Sequence, residues 1–407
     1  MGNQSSVAKP PFTEKKSSDQ DYSYFRYGIS EMQGWRNSME DASLIHISKI
    51  HKDMKSNLKD AINDSSYDDD DKRNSQESSS ESEEKADEDE MLSTYLDKIS
   101  LFGVFDGHGG SLVAKFCADN FFNLFKYAYV QKYKNLEQNF QHKDSPHNKD
   151  SKLDKKFFRK ISSSTAYVDK VEQALIQTFL DLDELLLTNA FKQLALQYKQ
   201  GKINNLKIDN YSKLLTDNSD LLDTSNESPA YMMGTTANIV SVYNNYLIIA
   251  NAGDSLSVLY SKGKAIVLNS EHKVSIKGEE DRILKSGFQI FNGRVDGKLN
   301  LTRAIGDLQF KDKRLRPYEQ AVTAYTEVLS YELTEGAEFV VSGCDGIWDC
   351  VEPQKFCEYI ATELKSKKKI STIIGNIQDM ILSKTINSPI GTDNMTCYII
   401  QIKEQTS

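Results

Sequence analysis

The sequence predicts an α+β fold, in which antiparallel strands and helices occupy separate stretches of the chain. Two hairpin signals indicate antiparallel pairing: Asn244-Asn245 and Lys262-Gly263 each stand between two short β-rich runs. The helical periods occur in local groups rather than one after every strand. This grouping argues against a doubly wound α/β fold.

Hydrophobic periodicity defines the other elements. Apolar runs predict further strands at 42–50, 99–105, 338–343 and 395–402. Apolar positions at a helical period predict helices at 111–129, 168–198, 354–364 and 372–384. An aromatic-rich stretch at 22–29 marks the expected start of the folded part.

The charge of the chain is concentrated in one segment. The formal net charge is −9, and residues 64–90 carry thirteen acidic against three basic side chains, a charge of −10. The rest of the chain is therefore near +1. Nucleic acid is not expected as the main partner of such a chain.

Polar, low-complexity stretches precede and interrupt what we expect to be a single domain. We expect residues 1–21 to be disordered and residues 22–403 to form a single domain with polar insertions at about 52–95, 131–165 and 200–229. The composition of the first insertion, rich in Asp, Glu and Ser, cannot bury enough apolar surface to order itself. It is expected to be a solvated loop, with a docking or phosphoregulated segment as the alternative.

The five cysteines form no CxxC pair and no zinc pattern, which is typical of reduced thiols in a cytoplasmic protein. No apolar run approaches ~18 residues, the length that a transmembrane helix needs. The N-terminus also has no apolar core of a secretory signal. We expect a cytoplasmic protein, most simply a monomer.

The first residues, Met-Gly-Asn-Gln-Ser-Ser, fit the N-myristoylation pattern through Gly2 and Ser6. An ordinary disordered start is the alternative. A single myristoyl chain gives a protein only weak affinity for membranes. No cysteine lies near Gly2 to take a second acyl chain. The pattern therefore predicts partial, reversible membrane association.

Acidic residues stand at the ends of several predicted strands. They precede or follow a strand directly or within two residues, and they are Glu40, Asp41, Asp106, Asp254, Asp345 and Asp393. If neighbouring strands are antiparallel, an acid entering one strand and an acid leaving the next lie at the same end of the sheet. Gathered carboxylates repel one another unless a cation lies between them.

All-oxygen ligands favour Mg²⁺ or Mn²⁺ over zinc. The acids therefore predict a site for hard divalent cations. The alternative is that these are ordinary turn residues at strand ends, where Asp is common.

Two further residues fit phosphoryl chemistry at such a site. Arg36, four residues before Glu40, has a planar guanidinium that suits bidentate binding of phosphate. His108, two residues after Asp106, is placed to act as a general acid. The alternative for His108 is a surface imidazole beside a carboxylate.

Seven motifs in order carry a family resemblance. They are Met32-Gln-Gly-Trp-Arg-Asn-Ser-Met-Glu-Asp-Ala42, Phe105-Asp-Gly-His-Gly-Gly110, Gly234-Thr-Thr-Ala237, Asn251-Ala-Gly-Asp-Ser255, Thr302-Arg-Ala-Ile-Gly-Asp307, Asp345-Gly-Ile-Trp-Asp349 and Asp393-Asn394. This set resembles the motifs of PP2C-type (PPM) metal-dependent protein serine/threonine phosphatases. The resemblance implies a four-layer αββα sandwich, in which two packed antiparallel sheets are flanked by helices.

The resemblance also implies two Mg²⁺ or Mn²⁺ ions at one end of the sandwich. Asp106 matches the ligand that bridges them, and Gly107 matches a backbone-carbonyl ligand of the first ion. Asp345 and Asp393 match the ligands of the second ion.

Other positions match the surroundings of the two ions. Glu40 and Asp41 match acids that hold metal-bound waters. Asp254 and Asp349 match acids that recruit a weaker third ion. These roles rest on the resemblance.

The implied substrates are phosphoproteins. Arg36 matches the phosphate-binding arginine, His108 the general acid, and Arg303 an arginine near the substrate cleft. The sequence departs from the family's motifs in a few places, for example at Glu271, before His272-Lys273, and at Leu256, after Gly253-Asp254-Ser255. None of these departures removes a matched metal ligand. An inactive binding scaffold and a regulatory metal-binding module are the alternatives to an enzyme.

Overall fold

The computed structural model describes residues 9–48, 98–138, 166–216, 220–222 and 224–403, together with Leu96. Two antiparallel sheets dominate it. The first has six strands in the spatial order β1 (Phe12–Asp21), β2 (Phe25–Gly34), β16 (Met395–Ile402), β15 (Ala337–Gly343), β9 (Leu256–Ser261) and β10 (Lys264–Val267). The second has five, in the order β14 (Glu327–Glu332), β8 (Tyr246–Ala252), β7 (Ala237–Tyr243), β4 (Ile99–Phe105) and β3 (Ala42–His46).

Short strands form two smaller sheets. The three-stranded one has the order β13 (Ile305–Gly306), β6 (Gly234–Thr235) and β5 (Gly107–His108), and the two-stranded one pairs β11 (Ile290–Phe291) with β12 (Arg294–Val295). The helices are α1 (Leu112–Gln138), α2 (Ala166–Leu185), α3 (Asn189–Lys199), α4 (Tyr211–Thr216), α5 (Lys277–Lys285), α6 (Asp345–Trp348), α7 (Pro353–Leu364) and α8 (Ile370–Ile381).

The layers follow from alternation along the buried strands. On β4, Leu101 and Phe105 join the core that α1 and α2 cover, whereas Phe102 and Val104 join the core shared with the first sheet. The outer face of the first sheet packs against α7 and α8, whose buried residues belong to that same second core. The predicted order of helix, sheet, sheet and helix is confirmed.

Both predicted hairpins are present. Asn244 and Lys262 adopt left-handed backbone conformations, with φ of 51° each, and Gly263 has φ of 78°. Positive φ at these positions matches the right-handed twist of the paired strands. The turns thus set the register of β7 with β8 and of β9 with β10.

The expectation that residues 1–21 are disordered is wrong for residues 12–21. They form β1, which pairs with β2 along its length. Backbone pairing needs no apolar side chains, and polar contacts fasten the strand to α8: Lys15 Nζ lies 2.6 Å from Asp379, and Asp19 accepts a hydrogen bond from Ser371 N at 2.8 Å. Residues 1–8, including Gly2, lie outside the described residues.

Three elements also differ from the predictions in their boundaries. The helix predicted at 168–198 is divided, because the Thr188 hydroxyl accepts from Phe191 N at 3.2 Å and starts a new helix. The helix predicted at 111–129 continues to Gln138, into the expected second insertion. Strand β3 ends at His46 rather than at residue 50.

The three expected insertions differ in how much of them is described. The segment 52–95 and residues 139–165 lie outside the described residues. In the third insertion Leu206 and Ile208 are buried against α1, where Asn120 donates to Leu206 O and accepts from Ile208 N. That stretch is therefore polar in composition but packed into the domain.

A small separate core lies beside the main sandwich, between β10 and β14. It contains Val274, Ile283, Val295, Phe310 and Val322. We call residues 271–326, which carry α5 and the β11–β12 hairpin, the flap. Among the described residues, none of the helices combines the length and the apolar character that a bilayer-crossing segment requires.

Candidate active site

Strand register brings the acidic residues to one end of the sandwich. Ala42 lies opposite Phe105 in the β3–β4 pair, so Asp41 and Asp106 are neighbours. Gly343 lies opposite Cys397 in the β15–β16 pair, so Asp345 and Asp393 leave and enter the first sheet at the same end. The two pairs face each other because the sheets are stacked.

The acids form two overlapping groups of potential ligands. Asp106, Asp254 and Asp345 each offer one carboxylate oxygen, and these three oxygens lie within 4.8 Å of one another. A second group, within the same limit, consists of Asp41, Asp106 and the thiol of Cys344. Asp106 belongs to both groups.

Burial of so many acids changes their protonation. Burial raises the pKa of Asp41 to about 7 and that of Asp345 to about 7, and neighbouring carboxylates add to the effect. The pKa of Asp106 is raised well above its ordinary value by burial and then by Asp41 and Asp345. Oδ2 of Asp41 has no hydrogen-bond partner among the described residues. Such a site fits hard divalent cations, which would replace the missing positive charge.

A cavity of about 410 Å³ opens above these acids. Among the residues expected at the site, its lining includes Arg36, Glu40, Asp106, Gly107, His108, Asp254, Asp345 and Asp393. Asp41 is buried beneath the lining. Asp349 follows Asp345 by one turn of α6, is exposed, and does not line the cavity.

Arg36 lies at the cavity on the loop between β2 and β3. Its Nη2 forms an ion pair with Asp393, and its side chain is 59% exposed. Asn394 fixes this loop by donating to Gln33 O at 2.7 Å and to Ser38 O, while its Oδ1 accepts from Glu40 N. The guanidinium is thus held at the cavity with most of its surface accessible.

His108 meets Asp307 across the small three-stranded sheet. Nε2 of His108 lies 2.6 Å from Oδ2 of Asp307, which is buried. Burial lowers the pKa of His108, but the Asp307 carboxylate outweighs it, so the net pKa is raised. Gly234 lies between the two, where any Cβ would collide with Asp307 and lie 2.7 Å from Nε2.

A lysine partly neutralises the acid group. Nζ of Lys273, on the flap, forms an ion pair with buried Asp254. Burial lowers the pKa of Lys273, but Asp254 outweighs it and the net pKa is raised. The ammonium therefore stays charged beside the cavity.

Arg303, expected near the substrate cleft, lies in the flap and outside the lining of the cavity. Its guanidinium binds Glu279, with Nη2 at 2.7 Å from Oε1, and donates to Tyr325 O. Glu279 is buried and also pairs with Arg282. Arg303 is absent from the cavity lining, whereas Arg294 of β12 is part of it. Glu279 thus holds the Arg303 side chain inside the flap, and the expected role of Arg303 in binding substrate stays a prediction.

Sequence reasoning gave no role to four residues that the structure places at the site. Asp307 binds His108, Lys273 binds Asp254, and Asn394 fixes the Arg36 loop. Thr236 donates from its backbone N to Asp106 O at 2.9 Å. Three of the four lie within the quoted motifs and Lys273 follows His272, so their positions were visible but their contacts were not.

The fold and site can be compared with known proteins. The family model for protein phosphatase 2C matches residues 131–388. Probable protein phosphatase 2C 21 of Arabidopsis thaliana is 31% identical over 411 residues, covering 97% of this chain and 91% of the relative. Protein phosphatase 2C homolog 2 of Hypocrea jecorina is 33% identical over 392 residues, covering 96% of this chain and 65% of that protein.

Solved structures share the fold. A phosphatase from Toxoplasma gondii superposes with a TM-score of 0.53 at 17% identity, covering 96% of each chain. A serine-threonine phosphatase 2C from the same organism gives a TM-score of 0.55 at 14% identity, covering 97% of this chain and 100% of that one. The chain belongs to the protein phosphatase 2C family, whose members are metal-dependent protein serine/threonine phosphatases.

Proposed function

We propose that this chain hydrolyses phosphoserine and phosphothreonine on proteins, by in-line attack of water on a phosphate bound in the cavity at the acidic end of the sandwich. One observation supports this above the others. A group of carboxylates with raised pKa values, an accessible arginine and a histidine that is paired with the buried Asp307 meet in one cavity.

Two Mg²⁺ or Mn²⁺ ions are the proposed cofactors. Asp106 would be shared between them, Asp345 and Asp393 would hold one, and Gly107, Glu40 and Asp41 would lie around the other. When bound, such ions supply a nucleophilic water at neutral pH by lowering its pKa. The raised pKa values of Asp41 and Asp345 are the expected signature of carboxylates prepared for cations.

Arg36 is the proposed phosphate-binding residue. Its exposed fork can donate two parallel hydrogen bonds to phosphate oxygens. Its present partner, Asp393, is a proposed cation ligand. Binding of a cation by Asp393 would therefore leave the guanidinium free for substrate.

His108 is the proposed general acid. Asp307 holds its Nε2 and favours the imidazolium, so Nδ1 is the nitrogen that would protonate the leaving serine or threonine oxygen. An alkoxide is a poor leaving group, and proton donation is therefore worth most for these substrates.

The resemblance also implies a weaker third ion, for which Asp254 and Asp349 would be the acidic residues. Lys273 already pairs with Asp254, so a cation there would have to displace the ammonium. This competition would weaken the binding of such an ion.

The N-terminal pattern supports a further proposal about location. We infer that Gly2 is myristoylated and that the enzyme, as a monomer, is divided between cytoplasm and membrane. The support is the sequence pattern at Gly2 and Ser6 and the weak affinity of a single acyl chain.

Hydrolysis of a phosphothreonine peptide tests the proposed function. The full chain, stripped of metal with EDTA, should be inactive and should regain turnover with Mn²⁺. Arg36→Ala should lose most of kcat/KM, whereas Arg314→Ala, at an exposed flap position paired with Asp312, should behave as wild type. Undiminished turnover in EDTA, or in Arg36→Ala, would contradict the proposal.

A further inference from the structure

The segment that carries Asp307 is attached to helix α2 by an ion pair. Oδ1 of Asp183, near the end of α2, lies 2.5 Å from Nζ of Lys311, and the two side chains are only 20% and 10% exposed. We propose that Asp183 and Lys311 are positioning residues, which hold the Asp307 carboxylate against His108. We call this pair the clamp. The inference rests on the general-acid role proposed above for His108.

The clamp contacts the chain on both sides of Asp307. Oδ1 of Asp183 accepts a hydrogen bond at 2.8 Å from the backbone N of Gly306, the residue directly before Asp307. Nζ of Lys311, on the other side of Asp307, donates to Ala304 O at 3.1 Å. These contacts close the segment 304–311 into a ring that includes α2, and Asp307 lies within that segment.

The backbone around Asp307 is unusual for its short strand and its positive φ angles. Gly306 and Asp307 have φ of 87° and 52°, and the left-handed conformation costs free energy in a residue with a Cβ. Strand β13 has two residues, and its Gly306 lies opposite Gly234 of β6. A strand this short forms few backbone hydrogen bonds. The bond of Gly306 N to Asp183 is therefore a large part of what fixes the backbone at this point.

Helix α2 is a rigid support for the clamp. Leu182 and Leu185 of this helix are fully buried in the core that α1 and α2 share with the second sheet. Cys117 of α1 lies near the clamp, since burial raises the pKa of its thiol, Asp183 raises that pKa further, and Lys311 lowers it. The clamp is thus embedded against a packed part of the molecule, and it can hold a carboxylate in one position.

Two substrates separate positioning from a general loss of stability. Asp183→Ala removes both contacts of the carboxylate. With Mn²⁺ present, its kcat on a phosphothreonine peptide should fall by roughly 10²-fold, the loss expected when a reacting group is misplaced by about 1 Å. p-Nitrophenyl phosphate should lose much less, because its leaving group needs little protonation. Equal losses on the two substrates, or no loss on the peptide, would overturn the proposal.

Two further variants of α2 are matched controls. Asp183→Asn keeps an oxygen that can accept from Gly306 N, so its turnover of the peptide should lie between those of wild type and Asp183→Ala. Asp169→Asn, at an exposed position in the first turn of the same helix, should behave as wild type on both substrates.

Proton NMR of the metal-free full chain tests the positioning without any assay of turnover. The proton between Nε2 of His108 and the Asp307 carboxylate should give a strongly deshielded resonance in wild type and in Asp169→Asn. This resonance should be lost or shifted upfield in Asp183→Ala. An identical resonance in wild type and Asp183→Ala would show that the clamp does not hold Asp307.

Hydrogen exchange of wild type alone covers the case in which Asp183→Ala does not fold. The amide of Gly306 donates to Asp183 and should therefore exchange slowly. Exchange as fast as that of a solvent-exposed loop amide would overturn the proposal.

Turnover and the NMR resonance together distinguish this inference from the proposed function. Mn²⁺-dependent turnover in wild type, with equal losses on the two substrates in Asp183→Ala, would overturn the clamp alone. A wild type without Mn²⁺-dependent turnover, whose deshielded resonance nevertheless depends on Asp183, would support the clamp and contradict the proposed function.

Discussion

His108 and Asp307 are 199 residues apart in the chain, yet their side chains meet at 2.6 Å. The contact depends on two strand pairs that share β6: His108 lies opposite Gly234, and Gly306 also lies opposite Gly234. Asp307 adopts a left-handed backbone conformation, with φ of 52°, that directs its carboxylate across the glycine. The pair is therefore a product of backbone geometry at three short strands.

Replacing Asp307 by Asn should weaken the proposed general acid. The amide removes the charge that raises the pKa of His108, so His108 loses its proton at lower pH. The alkaline limb of the pH–rate profile should move to lower pH, and turnover of a phosphothreonine peptide near neutral pH should fall by roughly 10²-fold. p-Nitrophenyl phosphate, whose leaving group needs little protonation, should lose less. Asp379→Asn, on the outer face of α8, is the control; an unshifted alkaline limb in Asp307→Asn would refute the role.

Replacing Asp345 by Asn should separate stability from activity. Burial, followed by Asp254 and Asp393, raises the pKa of Asp345 to about 7, so its charge is costly above that pH when no metal is bound. We expect the metal-free variant to be more stable than wild type at pH 8, by roughly 2 kcal/mol, while Mn²⁺-dependent turnover is almost abolished. Urea unfolding in EDTA measures the first effect. A variant that is less stable than wild type there, or that retains wild-type kcat, would contradict the assignment.

The metal-free protein should lose stability as pH rises. Asp41 and Asp345 have an ordinary pKa of 3.8 and a folded-state pKa of about 7, so between these values the native state binds more protons than the unfolded state. The free energy of unfolding must then fall over this interval and level off above it. Arg303 and Arg282 lower the pKa of Glu279 in spite of its burial. Glu279 therefore makes the free energy of unfolding rise with pH, but only near and below its ordinary pKa of 4.5.

Thermal unfolding at several pH values checks this slope. In EDTA the Tm should decrease from pH 5 to pH 7, and with saturating Mn²⁺ the decrease should be much smaller, because the cation replaces the protons. A Tm in EDTA that rises over that interval would show that the acids are not the dominant titrating groups.

Removing residues 55–92 should leave catalysis intact. Strands β3 and β4 are antiparallel, and their metal ends carry Asp41 and Asp106. The connection between them therefore leaves from the opposite end, at His46 and Ile99. Each doubling of loop length costs only ~0.6 kcal/mol, so folding should also survive. The kcat on a small phosphate ester measures the outcome, and its collapse in a folded variant would show that the segment reaches the cavity.

Replacing Gly2 by Ala should release the protein from membranes. The substitution removes the acceptor amine that the myristoylation pattern requires. In cells that acylate the protein, wild type should divide between soluble and membrane fractions, and the variant should be almost wholly soluble. Ser5→Ala, which leaves Gly2 and Ser6 in place, is the control. Identical fractionation of wild type and Gly2→Ala would sink the proposal.

The carboxylate end of the site could be predicted from sequence because it depends on two simple properties. Strand ends were visible in the apolar runs, and antiparallel pairing places entering and leaving residues together. These two properties were enough to predict that Asp41 lies near Asp106 and that Asp345 lies near Asp393.

Other features were hidden for identifiable reasons. Strand β1 has almost no apolar pattern, since it is an edge strand held by backbone bonds and by contacts of Lys15 and Asp19 with α8. The His108–Asp307 contact relies on strands of two residues, too short for any periodicity. Arg303 lies outside the lining of the cavity because its guanidinium binds the buried Glu279. A motif gives the position of Arg303 in the chain but not the partner of its side chain.

The course of β1 gives the molecule an orientation. Phe12 lies opposite Gly34, two residues before Arg36, so the chain enters the sheet at the end that carries the cavity. Nine residues lie between Gly2 and Phe12, so the ten steps from Gly2 to Phe12 can span at most about 35 Å. An acyl chain on Gly2 would therefore attach the enzyme to the membrane with its cavity towards the bilayer. The connection between β3 and β4, whose sequence includes the segment of charge −10, starts and ends at the opposite end of that sheet, at His46 and Ile99.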